Sequence, residues 1–389
     1  MSSNESRRSR LATSLLALFA TCALGALAAA PAGAFSASGD AVFVPASHDK
    51  GRTLSGQGIK LLAGNGGSSQ GNNLTLPVAE VNPIGTQPTA TSAASLTFKK
   101  GKASVVFGDV RFDLSAGTIV GKLAAVETAI FRVEGAPQVN PVTGAVSLND
   151  GKLRLIGTTA KTLRDDLNLA RALNNKGVGM VWLAAQAKPT HVTKPIASGS
   201  VDWGVLASWR KYVLGQQGPP PPSTVGAISV AGGATSTGTL SEPGAYFSFP
   251  VNGGSFEQGL FGASDKLNLT TQGSVEFEKP AHCIIEVGFS SIGLTIGTAS
   301  TLSLNSVSDI DTPTPPTCAD NPPAVAANVP FATLGTSGIA PSYSAGGKTV
   351  TWSAVPATLT AAGSTAWGAG PPYIAGKALD PVTITVGLG

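Results

Sequence analysis

The 389-residue chain predicts an all-β protein, mainly antiparallel and sandwich-like, with a few short helices and two tandem similar domains; three observations carry this. First, short β-type runs recur along its length, including ASLTFKKGKASVVFGDVRFDL, GSVEFEKPAHCIIEVGF, KTVTWSAVPATL and DPVTITVGL. Second, 48 Gly and 27 Pro punctuate these runs while 42% of residues are hydrophobic, so the chain is rich in turns yet can build a packed core. Third, a Ser-x-x-Phe strand at Ser95 to Phe98 returns at Ser274 to Phe277, each time followed by charged residues and then an apolar run.

Residues 1 to 34 read as a secretory signal peptide. Arg7, Arg8 and Arg10 precede the apolar run LATSLLALFATCALGALAAA, and the small triplet Ala32, Gly33, Ala34 places cleavage before Phe35. No second apolar span follows, so the expected product is secreted, extracellular or held in the cell envelope, with no retained transmembrane segment. Loss of three arginines and Glu5 takes the formal charge from +4 to +2. With charged residues at only 12%, the chain lacks the dense basic face that a nucleic-acid partner requires. Cys283 and Cys318 remain, and pairing is the plain expectation in an oxidising compartment.

Residues 36 to 194 are expected to form one domain and 195 to 389 a second, joined at KPTHVTKP. In the first, Val146 and Leu148 alternate, as do Leu153 and Leu155, around Asn149-Asp150-Gly151, which predicts a hairpin. TLRDDLNLARAL predicts a short helix with Leu163, Leu167 and Ala170 on one face. Each half then ends with a short alanine-bearing helix and a tryptophan, Trp182 and Trp367.

In the second domain, SVDWGVLASWRKYVLG predicts a helix of about three turns, from an Asp202 cap and Trp203 to a stop at Gly215. Trp209, Tyr212 and Val213 then share a face, with Val205 one turn earlier and the cations Arg210 and Lys211 to the sides. A phenol on an apolar face, flanked by cations, suits a flat, greasy, dianionic ligand. The plainer reading makes Tyr212 an ordinary core tyrosine.

An enzyme finds little support. Gly67-Ser68-Ser69-Gln70-Gly71 matches G-x-S-x-G, but inside GNGGSSQGNN it lacks the flanking strand and helix of a nucleophile elbow. Asp165 and Asp166 diverge on a helix, and three histidines with two mature cysteines leave no zinc spacing.

The segments DWGVLASWRKYV, FSFPVNGGSFE, SVEFEKPAH and VTWSAVPATLTAAGSTAWGAGPPYIAGKALDPVTITV resemble the HtaA domain, a secreted haem-binding module, over residues 199 to 389. Over 36 to 194 the resemblance rests on strand order and the SLTF segment. It implies a β-rich fold that holds ferric haem, one per chain, in the second domain. Tyr212 is implied as the iron ligand, His282 as that tyrosine's partner, Tyr373 as a second nearby tyrosine, and Trp209 as a porphyrin contact. Phenolate is a hard ligand suited to ferric iron. Family members carry glycine directly before the histidine, whereas this chain reads Lys279, Pro280, Ala281, His282.

All four tyrosines lie beyond residue 194, so the first domain cannot offer a tyrosine ligand, and its His48 and His191 do not sit in pocket-like sequence. The resemblance implies capture of haem from a donor protein and relay to a membrane haem transporter. The rival reading is a non-catalytic envelope or adhesion β-sandwich that binds no haem.

Overall fold

The computed structural model describes residues 34–46, 54–217, 225–280, 284–310, 312–314, 317–319, 323–368, 370 and 372–389. Residues 1–33 of the expected leader, His48, His282, Cys283 and most of the QQGPPPPSTV insertion fall outside these residues, as does the side chain of Cys318. The expected disulfide and the role of His282 therefore lie beyond the described part.

The chain forms two compact units, Ala30–Thr190 with Leu260–Ala263, and His191–Gly259 with Ser264–Gly389. Each contains one 13-stranded sheet. In the first unit the pairing runs Phe35–Pro45, Glu80–Asn82, Thr89–Ser92, Ala103–Asp113, Thr118–Leu123, Val126–Glu134, Ala145–Leu155 and Gly177–Ala187, then returns to Phe35–Pro45. A ring of antiparallel pairs has few free edges, which is how such sheets avoid unpaired N–H and C=O groups. The result is barrel-like.

The second unit repeats the order, with Thr190–Trp203, Tyr246–Leu260, Lys266–Thr271, Ile284–Ile296, Thr301–Ile310 and Ala324–Leu334 as successive neighbours. Ala324–Leu334 pairs Ala357–Leu359, which follows Thr349–Val355 across Pro356. Thr349–Val355 in turn reaches Thr190–Trp203 through Val382–Leu388. The two Ser-x-x-Phe strands occupy the same place in this order. Ser95–Lys100 lies between Lys60–Gly64 and Ala103–Asp113, and Ser274–Pro280 lies between Ala227–Ala231 and Ile284–Ile296. The duplication predicted from a few shared residues is thus a shared topology.

Inside each unit, alternate strand residues are buried. Val275 and Phe277 are fully enclosed while Glu276 and Glu278 face out, and Val382, Ile384 and Val386 do the same at the chain's end. The second core carries Trp203, Trp209, Trp352 and Trp367 with Phe247, Phe249, Phe289 and Phe331.

Three local expectations need correction. Asn149-Asp150-Gly151 is not a hairpin turn; Ala145–Leu155 is one strand with an extra residue between Leu148 and Gly151 opposite Leu183 and Val181. That bulge, with Asp150 at φ 52°, shifts the alternation by one, so Val146 and Leu148 before it and Leu153 and Leu155 after it all point inward. The helix of the first unit, α1, spans Gly157–Asp166, ending before Asn168, which adopts φ 49°. Leu163 and Leu167 are buried as the pattern requires, but Ala170 lies beyond the helix and is exposed. Trp182 and Trp367 are not equivalents, since Trp182 sits within strand Gly177–Ala187 whereas Trp367 ends a helix.

Candidate functional site

The helix carrying Tyr212, α2, spans Ala207–Val213 and is two turns long, not three. Strand pairing holds the chain through Trp203, opposite Val382, and Val205 at φ 63° breaks any helical path between them. Asp202 is therefore a strand residue whose Oδ1 accepts from Ser248 Oγ at 2.6 Å. The N-terminal capping role falls instead to Asp380, whose Oδ1 accepts the Ala207 N–H at 3.1 Å. The predicted stop at Gly215 is present. Gly215, at φ 71°, donates its N–H to the Tyr212 carbonyl and Gln216 donates to that of Lys211, the paired bonds of a glycine-terminated helix.

Arg210 does not flank a ligand. It is completely buried, with Nη1 donating to Asp380 Oδ2 at 2.6 Å and to the Gly204 carbonyl, Nε to the Leu240 carbonyl at 2.7 Å, and Nη2 to the Glu242 carbonyl at 3.0 Å. A planar guanidinium can meet several acceptors at once, so one side chain ties α2 to three other segments. Asp380 completes the tie from its main chain, donating to the Val205 carbonyl at 3.0 Å and accepting from Trp203 Nε1 at 3.1 Å.

With its buried face fixed, α2 presents Trp209 and Val213 to the core and leaves Tyr212 half-buried at the core's margin. The Trp209 and Tyr212 rings are stacked at 5.8 Å between centroids. Tyr373 meets Trp209 edge-on at 5.3 Å and stacks on Trp367 at 4.9 Å. Trp367 closes helix α3, Ala361–Trp367, which starts where Thr360 Oγ1 accepts the Gly363 N–H at 2.8 Å and stops at Gly368 with φ 72°. Three of the four predicted residues, Trp209, Tyr212 and Tyr373, are thus brought together although 161 positions separate Tyr212 from Tyr373 in the sequence.

One further side chain joins the group. Lys279, at the inward parity of Ser274–Pro280, is only 4% exposed; its Nζ lies 4.3 Å from the centre of the Tyr212 ring and donates to the Tyr212 carbonyl. Burial lowers its pKa from the usual lysine value. The alternation Val275, Phe277, Lys279 was the available signal for this residue, because a lysine at the third inward position of a strand needs a partner. Burial, and then the neighbouring Tyr212, pushes the Tyr373 phenol up to about 12, so it is a hydroxyl at neutral pH.

Among the described residues no cluster of three or more His, Cys, Asp or Glu side chains could hold a metal, and no helix is long and apolar enough to cross a membrane. The G-x-S-x-G run forms the exposed strand Ser68–Gln70 and a turn at Gly71.

No curated protein matches the chain's sequence. Among solved structures, the chain is similar to the heme binding protein HtaB from Corynebacterium glutamicum, at 21% identity over 52% of this chain and 98% of that one, with a TM-score of 0.36. It is likewise similar to the N-terminal domain of HtaA from the same organism (20%, 50% and 98%, TM-score 0.35) and to the C-terminal domain of that protein (20%, 50% and 99%, TM-score 0.33). Residues 198–385 match the model of the HtaA family, described as Htaa, and this span holds α2, the Lys279 strand, α3 and Tyr373. Residues 198–385 of this chain are thus an HtaA-type domain.

Proposed function

We propose that the protein binds ferric haem in its second unit, with Tyr212 as the iron ligand, and passes it on during haem uptake. One observation carries the reading: a half-buried phenol on α2 is set among Trp209, Trp367 and Tyr373, within the span that matches a haem-binding family.

The residues present fit such a cargo. Aromatic faces suit a porphyrin, and phenolate oxygen is a hard donor that favours ferric over ferrous iron. The indole N–H groups of Trp209 and Trp367 are buried without an acceptor among the described residues, which marks this cluster as one whose polar atoms are not all served by the protein. Tyr373, kept protonated, can donate a hydrogen bond where Tyr212 supplies the anion. A single protein ligand leaves the opposite face of the iron open, which favours five-coordinate high-spin iron and ready transfer. His282 is proposed to assist Tyr212 on the resemblance alone, since it lies outside the described residues.

The first unit, with no tyrosine, is proposed to bind no haem and to serve as a structural or docking repeat. Export by the leader, cleavage before Phe35, a haem donor and a membrane haem transporter belong to the same proposal. No turnover is assigned.

The test is a titration of ferric haem into the leaderless chain and its Tyr212→Phe variant, followed by visible spectroscopy. Saturation near one equivalent with a tyrosinate charge-transfer band, absent in the variant, supports the reading. Absence of saturable binding in the unmutated chain refutes it and leaves a non-binding envelope β protein.

A further inference from the structure

Lys279 occupies an environment that lysines avoid. It points into the protein beside Phe277 with 4% of its surface exposed, and it makes no ion pair with any carboxylate among the described residues. A buried ammonium without an anion is costly, and native proteins keep one only where something offsets the charge. Both described contacts of its Nζ are with one residue, the ring face of Tyr212 at 4.3 Å and the Tyr212 carbonyl.

We infer that Lys279 is the positioning residue of Tyr212: it fixes the ring and the main chain of that tyrosine and supplies the positive charge that balances an anionic ligand there. This rests on the haem reading and deepens it.

Two features of the geometry support this role. The carbonyl that Lys279 holds belongs to the last turn of α2, where Gly215 also donates to it, so the lysine secures the end of the helix from which the phenol projects. The ammonium over the ring meets the negative face of the aromatic system, an attraction that grows when both groups are shielded from water. A phenolate would strengthen it further, because the ring then carries a full charge. The strand holding Lys279 is itself held rigidly, paired with Ala227–Ala231 on one side and Ile284–Ile296 on the other, so the cation's position is set by the sheet and not by a loop. Lys211, next to Tyr212 in sequence, has no described contact with that ring.

The experiment has an apo arm and a loaded arm, using the leaderless chain with Lys279→Met, Lys279→Arg and Tyr212→Leu variants. In the apo protein, the Lys279 side-chain methylene resonances are expected to be shifted upfield by the ring current of Tyr212 and to return to ordinary lysine values in Tyr212→Leu. Ordinary shifts in the unmutated protein would overturn the inference. In the loaded protein, Lys279→Met is expected to lose ferric haem about thirtyfold faster, the size of one water-shielded cation–aromatic contact. Its tyrosinate band should move to lower energy and its ferric/ferrous potential should fall, because an unbalanced phenolate is a stronger donor. Lys279→Arg should restore most of both, which a purely structural defect would not allow. Spectra and loss rates in Lys279→Met equal to those of the unmutated protein would overturn the inference while leaving the haem reading intact; failure of the unmutated chain to bind haem would overturn both.

Discussion

Asp380 grips α2 with both carboxylate oxygens, Oδ1 on the Ala207 N–H at 3.1 Å and Oδ2 on Arg210 Nη1 at 2.6 Å. One carboxylate near the chain's end thereby caps the helix and neutralises its buried cation. The pair lies between the last strand and the helix that carries Tyr212, so it sets where the phenol stands.

Asp380→Ala is expected to cost about 3–5 kcal/mol, because it leaves Arg210 charged and fully buried while freeing a helix N–H. Asp380→Asn should cost less, since an amide oxygen can still accept one of the two bonds. Denaturant unfolding of both variants checks this, and equal losses would place the whole effect in the missing charge and none in the amide oxygen that Asn retains.

Gly363→Ala should destabilise the second unit by about 1–3 kcal/mol although alanine is the better helix former. A Cβ at Gly363 would stand 2.2 Å from the Phe331 carbonyl oxygen, so α3, and Trp367 with it, must move outward. Thermal unfolding measures the loss, and weakened stacking of Trp367 on Tyr373 should show in the near-ultraviolet circular dichroism.

Alkaline pH should weaken the fold through Tyr373. Its phenol is raised to about 12 in the folded protein from an unfolded value near 10, so the folded state holds the proton longer. That contribution is complete below pH about 10 and is lost as pH rises through about 12. Burial and a hydrogen bond to Asp265 raise Tyr343 as well, adding to the loss in the same direction. An ultraviolet tyrosine titration of Tyr373→Phe should lack the component near pH 12, and an unchanged curve would contradict the assignment.

The bulge in Ala145–Leu155 should tolerate Asp150→Gly and resist Asp150→Val. At φ 52° a β-branched residue is strained by about 1–2 kcal/mol, whereas glycine is free there. Comparison of the two variants by thermal unfolding separates backbone strain from loss of the carboxylate, which both share.

Titration of haem into the whole leaderless chain should saturate near one equivalent, not two. The first unit has the barrel order of the second but no tyrosine, and the described residues at the topological place of α2 form only the short 3-10 turn Ser55–Gln57. A second equivalent whose spectrum lacks the tyrosinate band would show that the first unit binds by another ligand.

Sequence alone determined what depends on local pattern: β-type alternation, the duplication marked by Ser95 to Phe98 and Ser274 to Phe277, the Gly215 stop, the short helix ending at Trp367, and the interest of Trp209, Tyr212 and Tyr373. These signals are read over a few residues, because side-chain parity and glycine conformation act at that range. Tertiary structure decided the rest. Whether Asn149-Asp150-Gly151 turns the chain or bulges it depends on the partner strand across from it, and that strand lies about thirty residues further on. The start of α2 is set by pairing of Trp203 with Val382 and by Asp380, neither of which is near in sequence. The part expected of Arg210 fell to Lys279 for the same reason. Within two positions of Tyr212 along the chain, the arginine and Lys211 looked like its cations, but burial direction turned Arg210 toward Asp380, and closure of the sheet brought Lys279, from 67 positions away, over the phenol ring.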